Sequence, residues 1–333
     1  MDNIRIGVLG PSEIAFRRTV PAFVASERVE YVGVAHADKH EWSDDSEVDD
    51  EVIRCEAEKC EKFREAYGGK VFGSYRELLE CNGIDAVYIP LPPSLHGKWQ
   101  RKALENGKHV FSEKPFTTSL HDTNVNIALA SSRGLALHEN YAFIFHRQIA
   151  VLDDIIGSGE IGELRMIRSA FAFPYRGEKD FRYHKNMGGG AVIDCGGYPL
   201  RLASHFLGNK VSVADKHTSA SRGHDVDVYG SATLYGENGI RAQLFWGMDN
   251  AYKCDVEIFG SAGSVMTGRV FSPPADMPVK ISINGSSSRD VMLEPGDQFL
   301  HSTEYFCRCI SDEKARLDNY KCISQQAQLI EEI

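Results

Sequence analysis

Ile4-Arg-Ile-Gly-Val-Leu-Gly-Pro-Ser-Glu-Ile-Ala15 is the stretch that decides the fold. Ile4 to Leu9 is a short apolar-rich run of strand character, and it stops at Gly10. A helical pattern then runs from Ile14 to about Ala25. Strand, glycine turn and helix in this order give the position of a dinucleotide fingerprint, G-x-G-x-x-G/A. Gly10 allows the tight turn and Ala15 allows the helix to pack closely on the strand. Ser12 stands where a middle glycine would let backbone approach a pyrophosphate, so approach is hindered rather than blocked. The helix N-terminus still offers orphan N–H groups to phosphate. Gly10, Pro11, Ser12, Glu13 and Ile14 are therefore the candidate phosphate-binding turn.

Outward from this stretch, strand and helix signals alternate. Val29 to Ala35 is a second strand, Val71-Phe-Gly leads into a helix near Tyr75 to Cys81, and Asp85 to Ile89 is a buried strand closed by Pro90-Leu-Pro-Pro93. Leu95 to Asn106 reads as a helix, and Lys108 to Ser112 as another buried strand. Such alternation predicts a parallel, doubly wound sheet over residues 1–140. After residue 140 the texture changes. A helix from Arg147 to Ile156 precedes extended runs at Leu164–Phe173, Val226–Tyr235, Ile240–Met248, Lys253–Phe259 and Val279–Ile283. Strands following one another without helices predict a mostly antiparallel open sheet. Helices are expected near Gly196–Leu207, Gln298–Ser311 and Ile323–Ile333. The fold class is α/β, with a second domain over 141–333.

Composition narrows the function. Hydrophobic residues at 42% and charged residues at 25% fit a globular chain, and a net charge of −10 argues against nucleic acid or an anionic membrane as partner. Met1-Asp-Asn-Ile-Arg-Ile goes straight into a strand without a signal-peptide layout, so a cytoplasmic location is expected. The eight cysteines include no Cys-x-x-Cys pair and are read as reduced thiols, not as a metal site. Glu41, Asp44, Asp45, Glu47, Asp49, Asp50 and Glu51 form an acidic run, read as a solvated loop or helix start.

Two clusters carry chemistry. Glu113-Lys114-Pro115 follows a buried strand, which places an ammonium where open α/β sheets bind ligands. Gly188-Gly-Gly-Ala-Val-Ile-Asp194-Cys-Gly-Gly-Tyr198-Pro-Leu-Arg201 sets Asp194 and Tyr198 four apart, on one helical face. Tyrosine can give a proton to a carbonyl, and a nearby lysine favours the phenolate that remains. An N-capping aspartate and a merely packed tyrosine fit the same spacing. At the tip of the second strand, His36, Lys39 and Arg17 offer positive charge for the extra phosphate of NADP, while Asp38 offers the carboxylate that selects NAD. NADP(H) is the expected cofactor and NAD(H) the alternative. Tyr175, Arg182, His184 and Lys185 precede the glycine run and are placed to meet sugar hydroxyls or a diphosphate.

Together these segments resemble the glucose-fructose oxidoreductase / inositol dehydrogenase (Gfo/Idh/MocA) family. The resemblance includes Tyr88-Ile-Pro-Leu-Pro-Pro-Ser-Leu-His96, Ser112-Glu-Lys-Pro115, Ile258-Phe-Gly-Ser-Ala-Gly-Ser264 and Asp297-Gln-Phe299. It implies a Rossmann domain, an open-sheet domain, and substrate held between nicotinamide and that sheet. It also implies Pro90, Leu91, His96 and Glu113 at the cofactor, Lys114, Tyr198 and Asp194 as the reaction centre, and a cis peptide bond before Pro115. Ala15-Phe-Arg-Arg-Thr-Val-Pro-Ala22, the Asp194/Tyr198/Arg201 pattern and Phe271-Ser-Pro-Pro274 look like the NADPH-dependent ketoreductases that reduce C-3 of nucleotide-linked sugars. His36-Ala37 departs from the Ser-Arg that NADP-using relatives often carry. The competing readings are a dehydrogenase of a free sugar, cyclitol or trans-dihydrodiol, and a non-catalytic NAD(P)-binding regulator of the same fold. The expected partners are a small sugar substrate and further copies of the chain, as a dimer or tetramer.

Overall fold

The computed structural model describes residues 3–42, 48–208, 210–220 and 223–333. It divides into two units: Met1–Asn140 with Phe299–Ser324, and Tyr141–Gln298 with Gln325–Ile333.

The first unit is built on a parallel sheet of β1 (Ile4–Leu9), β2 (Val29–Ala35), β3 (Lys70–Phe72), β4 (Ala86–Ile89), β5 (His109–Ser112) and β6 (Leu137–Glu139). Their order, β3-β2-β1-β4-β5-β6, is the doubly wound order, and the direction of winding reverses between β1 and β4. Ile6, Val8, Leu9 and all of β4 are fully buried, as expected of strands covered on both faces. The connections run through α1 (Val20–Ala25), α2 (Asp50–Tyr67), α3 (Tyr75–Glu80), α4 (Pro93–Glu105) and α5 (Leu120–Arg133). The helix expected from Ile14 begins as a π-helical turn, Ala15–Thr19, before α1.

Phe299–Ser324 departs from the expectation for residues 141–333, because it clusters with the first unit. Phe306, Cys307 and Cys309 are fully buried among Val8, Tyr88 and Phe111, and the rings of Phe306 and Phe111 lie 5.2 Å apart. Asn319 Nδ2 donates to Leu137 O at 2.6 Å. The amphipathic period was readable in the sequence, but the sheet that would bury the apolar face was not.

The first unit also contains a pH-sensitive joint. Ala136 N donates to His109 Nδ1 at 2.8 Å, which requires an unprotonated nitrogen. Burial, then the Arg316 guanidinium, push the His109 pKa from 6.5 down to about 4. The unfolded chain therefore takes up this proton first. The stabilisation is complete above about pH 6.5 and is lost as pH falls toward 4, by up to roughly 3 kcal/mol. Urea denaturation from pH 7 to 4 is expected to show that loss. His109→Asn keeps an acceptor without a titrating ring, and should flatten this part of the profile.

The second unit holds α6 (Arg147–Gly157) and eight strands: β7 (Leu164–Ala172), β8 (Val211–Ser219), β9 (Tyr229–Gly236), β10 (Arg241–Gly247), β11 (Lys253–Gly260), β12 (Ser264–Gly268), β13 (Val279–Asn284) and β14 (Arg289–Leu293). They pair in the order β14-β13-β12-β11-β7-β10-β9-β8, antiparallel except where β10 runs parallel to β7. The sequence reading missed β8, β12 and β14. β8 and β14 are edge strands with polar, largely exposed side chains, so neither shows an apolar run. α7 (Gly197–Leu207) packs its apolar side onto β10, β7 and β9, with Trp246 fully buried beneath its start. The chain ends in α8 (Gln298–Ser311) and α9 (Glu313–Glu332), the second much longer than the expected 323–333. No helix of the described residues is long and apolar enough to cross a membrane.

Candidate active site

Gly10 follows β1 with φ +100°, a conformation that side chains with a Cβ rarely adopt. A Cβ there would also meet Leu91 Cδ2 at 2.7 Å. Gly10 N donates to Ala35 O, which ties the turn to β2. Ser12, in place of the middle glycine, caps the helical turn that follows: its Oγ accepts from Ala15 N at 3.2 Å. A cavity of about 470 Å³ opens here, at the carboxyl ends of β1 and β4. Gly10, Pro11, Ser12 and Glu13 line it on one strand end, and Pro90, Leu91 and Pro92 on the other. A glycine turn leading into a helix N-terminus, facing a cavity at the switch point of the sheet, fits a dinucleotide pyrophosphate.

The residues expected to read the adenosine end behave differently. Lys39 is ion-paired with Asp50 at 2.6 Å, and His36 Nδ1 lies 3.0 Å from Ala37 O. Arg17 is exposed and reaches Glu13 at 3.5 Å. Ile14 is also exposed. Lys59 and Lys62 from α2 line the cavity instead, and so do Trp42 and Tyr75. Nothing in the local sequence marked these lysines, which sit in an ordinary charged helix. The acidic run is corrected in one respect. Glu41 is buried, not solvated, and its carboxylate accepts from Asp38 N, Tyr75 N and Arg76 N at 2.8–2.9 Å, capping α3. Asp49 caps α2 by accepting from Glu51 N, while Asp44, Asp45 and Glu47 lie outside the described residues.

Lys114 follows β5 in a turn fastened at every neighbouring residue. Glu113 N donates to Ile89 O, and the Glu113 carboxylate accepts from Tyr88 Oη and Asn140 Nδ2, both at 2.7 Å. Phe116 N donates to Glu139 Oε1 at 2.7 Å. His96 Nδ1 lies 2.7 Å from Pro115 O. The Lys114–Pro115 peptide bond is cis. Desolvation raises the Glu113 carboxyl above its ordinary pKa, against the two hydrogen bonds and the adjacent Lys114 charge, which favour the anion. His96, expected at the cofactor, is fully buried and also places Nε2 2.7 Å from Leu91 O. It joins the Lys114 turn to the loop after β4, and neither ring nitrogen faces the cavity.

In the second unit, Asp194 and Tyr198 flank the junction between a π-helical turn, Val192–Gly196, and α7. Such turns widen a helix and often mark functional positions. Asp227 caps this start: its Oδ2 accepts from Val192 N at 2.8 Å. The Tyr198 ring is half-buried among Tyr141 (5.2 Å), Phe143 (5.8 Å), Phe171 (4.8 Å) and Phe271 (5.7 Å). Gly197 makes that packing feasible, since a Cβ there would lie 2.0 Å from Tyr141 Oη. Gly197→Ala is expected to destabilise the fold by about 1–3 kcal/mol through overpacking, read as a lower urea midpoint at unchanged slope.

Arg182, expected on the substrate, is committed elsewhere. Its Nε donates to Asp194 Oδ2 at 2.8 Å, and its Nη1 to the two oxygens of Asp180 at 3.0 and 3.2 Å. It fixes the orientation of Asp194, a role invisible in a loop read residue by residue. Tyr175 packs its ring at a tilt against Tyr183, with ring centres 4.8 Å apart. His184 and Lys185 are exposed, and His184 Nε2 lies 2.7 Å from Glu178 O.

Comparison with known proteins adds independent findings. Residues 4–141 match the model of an oxidoreductase family with an NAD-binding Rossmann fold, and residues 149–266 match that of a GFO/IDH/MocA C-terminal domain. The chain is 35% identical to a dTDP-3,4-didehydro-2,6-dideoxy-alpha-D-glucose 3-reductase of Streptomyces antibioticus, across 99% of this chain and 96% of that protein. It is 36% identical to the protein of the same name from Saccharopolyspora spinosa, over the same shares. Among solved structures, KijD10, a 3-ketoreductase from Actinomadura kijaniata in complex with NADP and TDP-benzene, superimposes with a TM-score of 0.90 at 34% identity. That match covers 100% of this chain and 97% of KijD10.

Proposed function

The chain belongs to the GFO/IDH/MocA family of NAD-binding oxidoreductases, and from that premise we propose that it uses NADPH to reduce C-3 of a nucleotide-linked keto sugar. One observation carries the reading: 35–36% identity along 99% of the chain to proteins named for that reaction, in a chain that has both Lys114 and Tyr198. The cofactor, when bound, supplies hydride to the carbonyl carbon. Tyr198 Oη gives its proton to the carbonyl oxygen. Lys114, in the first unit, is assigned the electrostatic stabilisation of the charge that develops on the substrate. Asp194, kept in place by Arg182, accepts from a sugar hydroxyl and orients the ring. Reduction with NADPH carrying deuterium at the transferred position tests the assignment. The product should bear deuterium at C-3 by NMR, and deuterium at another carbon would overturn it.

Preference for the phosphorylated cofactor is assigned to α2. Lys59 pairs with Glu56 at 2.5 Å, whereas Lys62 has no carboxylate partner among the described residues. Lys62→Gln is expected to weaken NADPH binding about tenfold, the scale of one charge-assisted hydrogen bond, and to leave NADH nearly unchanged. Calorimetric titration of both cofactors reads the ratio.

Assembly into a homo-oligomer, dimer or tetramer, belongs to the same proposal. The outer face of the eight-stranded sheet supports it: Met266 is exposed there opposite Glu257, which pairs with Arg168, and Met292 is exposed on the edge strand β14. A cytoplasmic location follows from dependence on a reduced nicotinamide pool.

A further inference from the structure

We propose that Trp42 is the platform on which the adenine ring of the dinucleotide stacks, an inference that rests on the cofactor reading above. Trp42 lies in the loop after β2, the side of a doubly wound sheet that takes the adenosine half of a dinucleotide. It is half-buried and lines the same cavity as Gly10 and Ser12, so phosphate turn and indole share one space.

The ring is held in place from behind. Its Nε1 donates to Tyr75 Oη at 3.1 Å, and Tyr75 is fully buried, edge-on to Trp99 at 4.9 Å. The preceding residue, Glu41, ties the loop down twice. Its carboxylate takes the N–H groups of Tyr75 and Arg76, and its carbonyl accepts from Trp99 Nε1 at 3.3 Å. An indole whose one polar atom is tied back has only its apolar faces left to offer. Such a face suits a purine, and little ordering is lost at the indole itself because Glu41 and Trp42 are already held by these hydrogen bonds. The buried carboxylate that looked like part of a solvated acidic run is thereby the anchor of the platform.

Of the three tryptophans, Trp99 and Trp246 are at most 1% exposed, so Trp42 is the one that an adenine can reach. Adenosine 2′,5′-bisphosphate carries the adenine and the extra phosphate, but no nicotinamide. Titrating it into the full-length protein should give a saturable fall in tryptophan emission. Nicotinamide mononucleotide should give none, and Trp42→Phe should abolish the signal while binding adenosine 2′,5′-bisphosphate within about threefold of wild type. Trp42→Ala should weaken calorimetric binding about tenfold. An unchanged Kd in Trp42→Ala, or quenching that survives in Trp42→Phe, overturns the platform and leaves the cofactor assignment standing. Failure of the wild-type protein to bind either adenosine 2′,5′-bisphosphate or NADPH would overturn both.

Discussion

Tyr198→Phe is expected to lower kcat for sugar reduction by roughly 10²–10⁴-fold, the contribution of a positioned proton donor. The substitution is a clean one. The phenyl ring keeps its place among Tyr141, Phe143, Phe171 and Phe271, because those contacts are made by the ring and not by the hydroxyl. Urea denaturation of the variant reads any cost to the fold separately from the loss in kcat. On the proposed role the hydroxyl acts on charge that develops only as the carbonyl is reduced, so kcat and kcat/KM should fall together with little change in KM. Stopped-flow single turnovers at 340 nm isolate the step. A variant that turns over at the wild-type rate would remove Tyr198 from the chemistry and return it to the role of packed core tyrosine.

Lys114→Ala is expected to cost a comparable factor, roughly 10²–10⁴-fold in kcat. The turn should survive the change. Its anchors are Glu113 on Ile89, Tyr88 and Asn140, His96 on Pro115, and Glu139 on Phe116, and none of these bonds uses the lysine ammonium. If Lys114 and Tyr198 serve one carbonyl oxygen, the double variant should lose hardly more than the worse single variant, since groups acting as a unit are not additive. Fully multiplied losses would mean that the two act at separate steps. A Lys114→Ala enzyme with unchanged kcat and raised KM would make the lysine a binding group only.

What was legible in the sequence was whatever depends on local order. Strand, Gly10 turn and helix named the doubly wound sheet, and Lys114 was placed at a strand end because β5 is a short apolar run. Asp194 and Tyr198 were placed on one face by their spacing. What escaped depends on partners far along the chain. Glu41 sits in an acidic run, and only the start of α3, more than thirty residues later, makes it a buried cap. His96 was expected at the cofactor, and its burial, with ring nitrogens 2.7 Å from the carbonyls of Leu91 and Pro115, was not readable from the helix pattern. Arg182 was expected at the substrate, and its pairing with Asp180 and Asp194 could not be read from the loop sequence. Lys59 and Lys62 matter because α2 turns them to the cavity, and nothing in a helix of alternating charges singles out those two. Phe299–Ser324 carried a clear amphipathic period, yet periodicity does not say which sheet receives the apolar face.

Reduction of a nucleotide-linked 3-keto sugar with NADPH is the reaction proposed for this family member. Its most direct test is steady-state oxidation of NADPH by the purified protein, comparing a dTDP-linked 3-keto-deoxysugar with free sugars and cyclitols assayed in the oxidative direction with NADP⁺ and NAD⁺. The kcat/KM for the dTDP-linked substrate is expected to exceed that for any free sugar by at least roughly a hundredfold, the margin expected when remote binding energy is used at the reacting centre. Faster oxidation of a free sugar, or tight NADPH binding with no turnover of the keto sugar at any pH, would contradict it.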